Sequence, residues 1–456
     1  TYWGGVFLSW GKINIMGGTF KDNYAQATGG VIASYGGVVN ITGGNFANNL
    51  SAETGGVILF KGEDLNISNA AFTENSANKH GGAIYMKAGK LAIRDSVFTK
   101  NSSEHGGGAL LVHYDNSNKL EVVSSRFEEN SASFGGGIYL MSGSKLNVEG
   151  TQFINNDTGH GAAIATLPSL DVAADPSQLT VMNSQYQENV AWSGAGIFTS
   201  FPTKIEGCLF KANEALVADG DDQLNPHKTG TGGALSIMNN ITQISKSDFV
   251  ENKAYDSGGA ICINGYTWND DGTVEVKEHI GAEIKNNTKF LANSVEVGQG
   301  GAIYVAPYEY AYRIKDTEAY KNLKTDETTY FNGNKSGEGL FNPATNCGDF
   351  ANLQFSENSD VTHEILTRKS LLNNYDVNYK NDYRILTFNA NGGHFPDNTE
   401  IKREEHEVGK EIQILAAPTK EGYSFDYWKG SQYYPGDTYT VTENHEFVAQ
   451  WKNEPP

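Results

Sequence analysis

The sequence predicts an all-β chain: a right-handed parallel β-helix over residues 1–358, a cap and linker over 359–384, and a small mostly β module over 385–456. Three observations carry the rod. A glycine pair recurs, a Phe-x-x-Asn motif recurs in phase with it, and a short apolar segment alternates between them.

The glycine pair stands at Gly4-Gly5, Gly29-Gly30, Gly55-Gly56, Gly81-Gly82, Gly107-Gly108 and Gly135-Gly136, and again at Gly232-Gly233, Gly258-Gly259 and Gly300-Gly301. Gly161-Ala162 and Gly194-Ala195 are variants of it. A sharp bend needing positive φ, with the next coil too close for a Cβ, explains the residue choice. Two residues further on lies an aliphatic side chain, as at Ile32, Ile58, Ile84, Leu110, Ile138, Ile164, Ile197, Leu235, Ile261 and Ile303, which should point inward.

The second series runs from Phe20/Asn23 and Phe46/Asn49 through Phe127/Asn130 and Tyr186/Asn189 to Phe331/Asn334 and Phe355/Asn358. Its rings should form an internal stack. Its asparagines suit a turn ladder, because the amide both donates and accepts and Asn tolerates the left-handed conformation. The third segment, as in Leu65-Asn66-Ile67 or Leu146-Asn147-Val148, has the period of a half-buried strand. Each repeat therefore reads as three short strands and three turns, and a unit of that size must stack on its neighbours to bury its apolar side. About twelve coils make a rod on the order of 55 Å long.

Insertions break the repeat after Asn213, Ile263 and Tyr304, and loops projecting from a rigid scaffold are where function usually sits. Residues 359–384 lack the repeat. From 385 onward, alternating segments and glycine turns describe a compact β module whose core should come from Phe388, Tyr423, Phe425, Trp428 and Trp451.

A formal charge of -20 disfavours nucleic acid and anionic lipid as partners. Cys208, Cys262 and Cys347 have spacings that fit neither a disulfide framework nor a zinc site, and read as buried small hydrophobes. No stretch is long and apolar enough to insert in a membrane, and Thr1-Tyr2-Trp3 does not begin a signal peptide. The expectation is a monomeric part of a longer chain whose export and anchoring signals lie elsewhere.

The coupled motifs, such as Gly81-Gly82-Ala83-Ile84 with Phe98-Thr99-Lys100-Asn101, resemble the repeats of chlamydial polymorphic outer membrane proteins. That resemblance implies a surface-exposed β-helical adhesin. The run Phe388 to Gly393, the Gly422-Tyr423-Ser424-Phe425 stretch and Ala449-Gln450-Trp451 resemble the Listeria-Bacteroides repeat, related to internalin B-repeats, with Tyr427 where that family commonly has Gly. This implies a β-grasp-like module in a surface stalk. Together they imply a secreted, cell-wall-anchored bacterial protein that attaches to a host.

The rival class is a polysaccharide lyase or glycosidase on the same scaffold. Gly159-His160-Gly161, Asp221-Asp222 or Asp270-Asp271, and Arg313-Ile314-Lys315 are fragments of a polygalacturonase-like set, but the paired aspartates follow the Gly-His-Gly instead of preceding it. His80, His105 and His160, each near a glycine motif, are out of one register and read as solvated turn residues, not metal ligands. No cofactor is expected; Asp219, Asp221 and Asp222, or Asp270 and Asp271, are the places where Ca²⁺ would bind weakly.

One pattern favours binding. Strand alternation sends the residue after the inward aliphatic outward, and it is repeatedly large and apolar: Leu59, Tyr85, Leu111, Tyr139, Phe198 and Tyr304. Such a stripe, with Trp268, Tyr308 and Tyr310 from the insertions, would meet a host-surface protein or stack on a glycan. The expected function is a non-enzymatic adhesin or adhesin stalk.

Overall fold

The computed structural model describes residues 2–113, 120–141, 143–167, 177–217, 230–268, 274–276, 279–306, 322–337, 375–378, 383–407, 409–429, 433–442 and 445–453. The chain divides into two compact units, Thr1–Tyr379 and Lys380–Pro456.

The first unit is a right-handed parallel solenoid built from four sheets, three of eleven strands and one of ten. The fourth sheet is the one sequence patterning misses. Its strands are mostly two residues long, such as Tyr24–Ala25 and Ser76–Ala77, too short for an alternating pattern to register. Pairing is parallel and in register from coil to coil, so like residues meet: Phe72 opposes Phe46 and Phe98, and Leu65 opposes Val39 and Leu91.

The rod's core follows from that register. Eleven rings, from Phe20 to Phe331, stack with centroids 4.6 to 5.0 Å apart and planes within 14° of parallel. The aliphatic ladder from Ile32 to Ile303 is fully buried beside them. Cys208 and Cys262 are buried, and Cys347 lies outside the described residues.

Beside the rings runs the asparagine ladder. Asn75 Nδ2 donates to Asn101 Oδ1 at 2.9 Å and to the Phe46 carbonyl at 2.8 Å, while its Oδ1 accepts from the backbone N–H and Nδ2 of Asn49 at 3.0 and 2.8 Å. The left-handed conformation expected of these asparagines belongs instead to the preceding residue, with φ of 54° at both Glu74 and Lys100. The asparagine is thereby left buried, with its amide free to run along the rod axis. Beyond Asn334 the ladder passes to Asp376, whose Oδ1 accepts from Asn334 Nδ2 at 2.9 Å; Phe355 and Asn358 lie outside the described residues. Val377 bridges to Ile303, so residues 375–378 add to the edge of the first sheet.

The glycine pair does what its sterics suggest. Gly81 has φ of 64°, and a Cβ on Gly82 would collide with the carbonyl oxygen of Gly108 in the next coil.

The second unit holds a four-stranded sheet in the order Ile401–Glu407, Tyr383–Asn389, His445–Asn453, Tyr423–Lys429, with its first and last segments paired in parallel at the centre. Phe388, Trp428, Phe395 and Phe447 are buried, and Phe425 and Trp451 pack against them. Tyr423, expected in this core, is exposed, with Lys420 Nζ 4.9 Å from its ring centroid. A bulge between Phe425 and Trp428 accommodates Tyr427.

Candidate functional site

Parallel alternation does send the stripe out of the barrel, but not into water. Leu59, Tyr85, Leu111 and Tyr139 form a second apolar cluster with Ala165, separate from the main core, and Tyr139 is only 8% exposed. Phe198 and Tyr304 are buried as well. The expected exposed aromatic stripe is therefore corrected to a covered one.

The cover is the residue just before each glycine pair, which bridges from coil to coil through His80, Gly106, Phe134 and His160. Phe134 stacks on Tyr139 at 5.8 Å, His160 tilts against Phe198 at 5.1 Å, and a Cβ on Gly106 would sit 2.5 Å from the Tyr139 ring. Tyr35, Met141 and Leu167 flank the cluster. Burial pushes the phenols of Tyr85 and Tyr139 up to about 12.

The histidines also differ from the solvated turn residues expected. His160 is buried and His80 half-buried, whereas His105 is exposed. His80 lies 6.1 Å from Tyr85 and 5.5 Å from His105, ring to ring. Burial first, then the nearby charges of His105, His113 and Lys79, push the His80 imidazole down to about 4. Among the described residues no three His, Cys, Asp or Glu side chains converge to hold a metal.

Tyr308, Tyr310, the carboxylates Asp219, Asp221, Asp222, Asp270 and Asp271, and Arg313-Ile314-Lys315 lie outside the described residues. Trp268 ends a strand, Tyr266–Trp268, that pairs antiparallel with Val274–Val276. The described part of the second insertion is thus an antiparallel strand pair.

The groove that sequence reading missed lies on the fourth sheet. It is open, encloses about 230 Å³, and is lined by Glu214, Lys253, Ser294, Leu216, Tyr255 and Glu296, with Ala215 and Ala254 in its floor. Two outward rows make its walls. Glu214, Lys253 and Ser294 are register partners on successive coils. One step past the buried Ala215, Ala254 and Val295 come Leu216, Tyr255 and Glu296.

A signal for it was present in the repeat. The third residue after the ladder asparagine is Gln26, Ala52, Asn78, Glu104, Ser133 and Gly159 in six early coils, then Trp192, Leu216 and Tyr255. Without the fourth sheet in hand, that change had no face to be assigned to.

Three segments match known families. Residues 383–450 match the Listeria-Bacteroides repeat domain, residues 105–229 the right-handed β-helix region, and residues 69–87 the Chlamydia polymorphic membrane protein repeat. These are the families whose motifs the sequence resembles. One curated protein, metabotropic glutamate receptor-like protein R of Dictyostelium discoideum, is 30% identical over 145 residues, 31% of this chain and 8% of that protein. The chain thus spans less than a tenth of that relative. No solved structure matches the chain. The rod and its repeats fit a cell-surface adhesin or stalk.

Proposed function

We propose that this chain is the rod and part of the stalk of a cell-wall-anchored surface adhesin that binds a host-surface protein or glycan and performs no catalysis. The observation that carries the reading is that a Chlamydia polymorphic membrane protein repeat lies within a continuous parallel rod whose motif residues are consumed by packing. Ring stack, asparagine ladder and glycine bends all serve to build length, which is what display at a distance requires. The Listeria-Bacteroides repeat segment supports the stalk.

The test is adhesion. Beads coated with the purified chain should attach to host cells well above beads carrying an unrelated acidic protein, and soluble chain should compete. Attachment no better than the control removes the adhesin reading. Release of reducing ends or unsaturated uronates from a polysaccharide panel would establish the enzyme reading instead.

A further inference from the structure

We infer that the groove on the fourth sheet is a binding site for a short neutral oligosaccharide. The inference rests on the adhesin reading and assigns it a place and a ligand class.

Charged groups in the groove are left unspent. Where acid and base are direct register partners elsewhere on the rod, they pair: Asp64 with Lys90 at 3.6 Å, Asp248 with Lys289 at 3.8 Å, and Glu283 with Lys324 at 3.1 Å. Glu214 and Lys253 are likewise register partners. Among the described residues neither makes an ion pair, nor does Glu296 across the groove. Glu214, Lys253 and Ser294 line one wall of the open groove and Glu296 belongs to the other, and together they offer carboxylates that accept, an ammonium that donates, and a hydroxyl that does both.

The other wall is apolar. Leu216 is 43% exposed and Tyr255 38%, on neighbouring coils, whereas Leu59, Tyr85, Leu111, Tyr139, Phe198 and Tyr304 on the first sheet are all buried. An aromatic face beside mixed donors and acceptors is the combination a sugar ring asks for, since it offers a C–H face and an equatorial belt of hydroxyls.

Shape and charge select among ligands. The groove crosses three coils, hence about 10 Å at the strand spacing, room for two sugar rings. An extended peptide would bind by adding a strand, yet the floor has its backbone already committed: the N–H of Tyr255 donates to the Ala215 carbonyl and that of Glu296 to the Ala254 carbonyl. Two carboxylates and one ammonium on a chain of net charge -20 repel sulfated or sialylated glycans. The floor is locked by the ladder, so little ordering opposes binding.

The test uses the full chain on an array of neutral, sialylated and sulfated oligosaccharides, beside bead adhesion to intact cells. Neutral glycans should be retained selectively, and Tyr255→Ala and Glu214→Gln should each weaken retention at least about tenfold while circular dichroism and melting stay unchanged. The outward position of both side chains makes folding failure an unneeded explanation, and Lys285→Gln, on another sheet, should bind as the unaltered chain does. Adhesion that persists in Tyr255→Ala with no glycan retained overturns the groove and spares the adhesin reading. Loss of adhesion by the unaltered chain overturns both, and capture of deglycosylated protein without any glycan assigns the groove to a protein.

Discussion

The rod and the small module both build their cores from aromatic rings, one with a single repeated contact and the other with several kinds. In the rod, neighbouring rings lie nearly parallel, as Phe72 and Phe98 do at 3°. In the module the geometry is mixed: Phe388 meets Trp428 at 74° and Phe425 meets Trp451 at 87°, while Phe388 stacks on Phe447 at 14°. Ring quadrupoles favour offset or edge-on contact. A parallel in-register solenoid sets like side chains against each other at every coil and imposes stacking, while the module's mixed four-stranded sheet gives each ring a different set of neighbours. The rod's core is therefore a line of equivalent contacts, and the module's a single knot.

The sharpest way to break that contrast is to remove one ring from each. Phe127→Ala and Trp428→Ala should each cost about 3–5 kcal/mol, the usual range for emptying a buried aromatic site. Their reach should differ. Trp428 touches Phe388, Phe395 and Phe425, so its loss should abolish the module's folded near-ultraviolet signal altogether. Phe127 touches one ring on each side, so hydrogen exchange should speed up only around residues 98–153, with the outer coils still protected. Uniform acceleration along the whole rod would show that the line behaves as a knot after all.

Next in size is the ladder. Asn130→Ala removes bonds to the Phe98 carbonyl and Asn156 Oδ1, takes the acceptor from the Asn101 N–H and leaves Asn101 Nδ2 with its bond to the Phe72 carbonyl alone, all buried. We expect about 3 kcal/mol, from several unsatisfied groups at roughly 1 kcal/mol each. Asn130→Asp keeps the acceptor for Asn101 but turns a carboxylate on two oxygens. It should therefore regain stability as pH falls and the carboxyl becomes a donor. A denaturant midpoint independent of pH in that variant would mean the ladder's direction is not what holds it.

These ladders also show which parts of the fold the sequence discloses. Residues that repeat at every coil, such as Phe72, Asn75, Gly81 and Ile84, reveal their environment because each sees the same neighbours 26 residues away. The fourth sheet was invisible for the opposite reason: strands such as Ser76–Ala77 carry two residues of no distinctive type. The stripe was half legible. Period-two alternation correctly sends Tyr85 out of the barrel, but nothing local tells that His80 and His113 close over it, because cover is a tertiary property. In the module, composition pointed to Trp428 and Phe388, yet offered no way to tell exposed Tyr423 from buried Phe447.

The polar ends of the rings give a smaller test. Both module indoles find partners, Trp428 Nε1 donating to the Leu415 carbonyl at 3.3 Å and Trp451 Nε1 to the Ala390 carbonyl at 3.2 Å. In the rod, Tyr186 replaces phenylalanine in the stack, and its hydroxyl is buried without a hydrogen-bond partner among the described residues. Tyr186→Phe should stabilise the rod by about 1 kcal/mol, the low end of the penalty for an unsatisfied buried group. A destabilised variant would mean the hydroxyl is doing work in the core.

The smallest effect should be electrostatic, on the outer face. In the module His406 has the Glu404 carboxylate 2.9 Å from its Nε2. His80 on the rod has the reverse setting: Tyr85 beside it, His105, His113 and Lys79 as like charges, and Glu53 already bridged to Lys79 at 3.0 Å. With its imidazole held at about 4 against 6.5 when free, the folded chain stays unprotonated while the unfolded chain takes a proton. Stability from this group is thus full above pH 6.5 and falls as pH drops toward 4, by an amount that solvent screening of the half-exposed ring keeps small. His80→Thr, which restores the Thr28 and Thr54 ladder residue, should flatten the stability profile over that window. A His80 imidazole resonance titrating near 6.5 in the folded chain would show that the cover over Tyr85 is open to water, and with it that the rod's outer cluster is looser than its core.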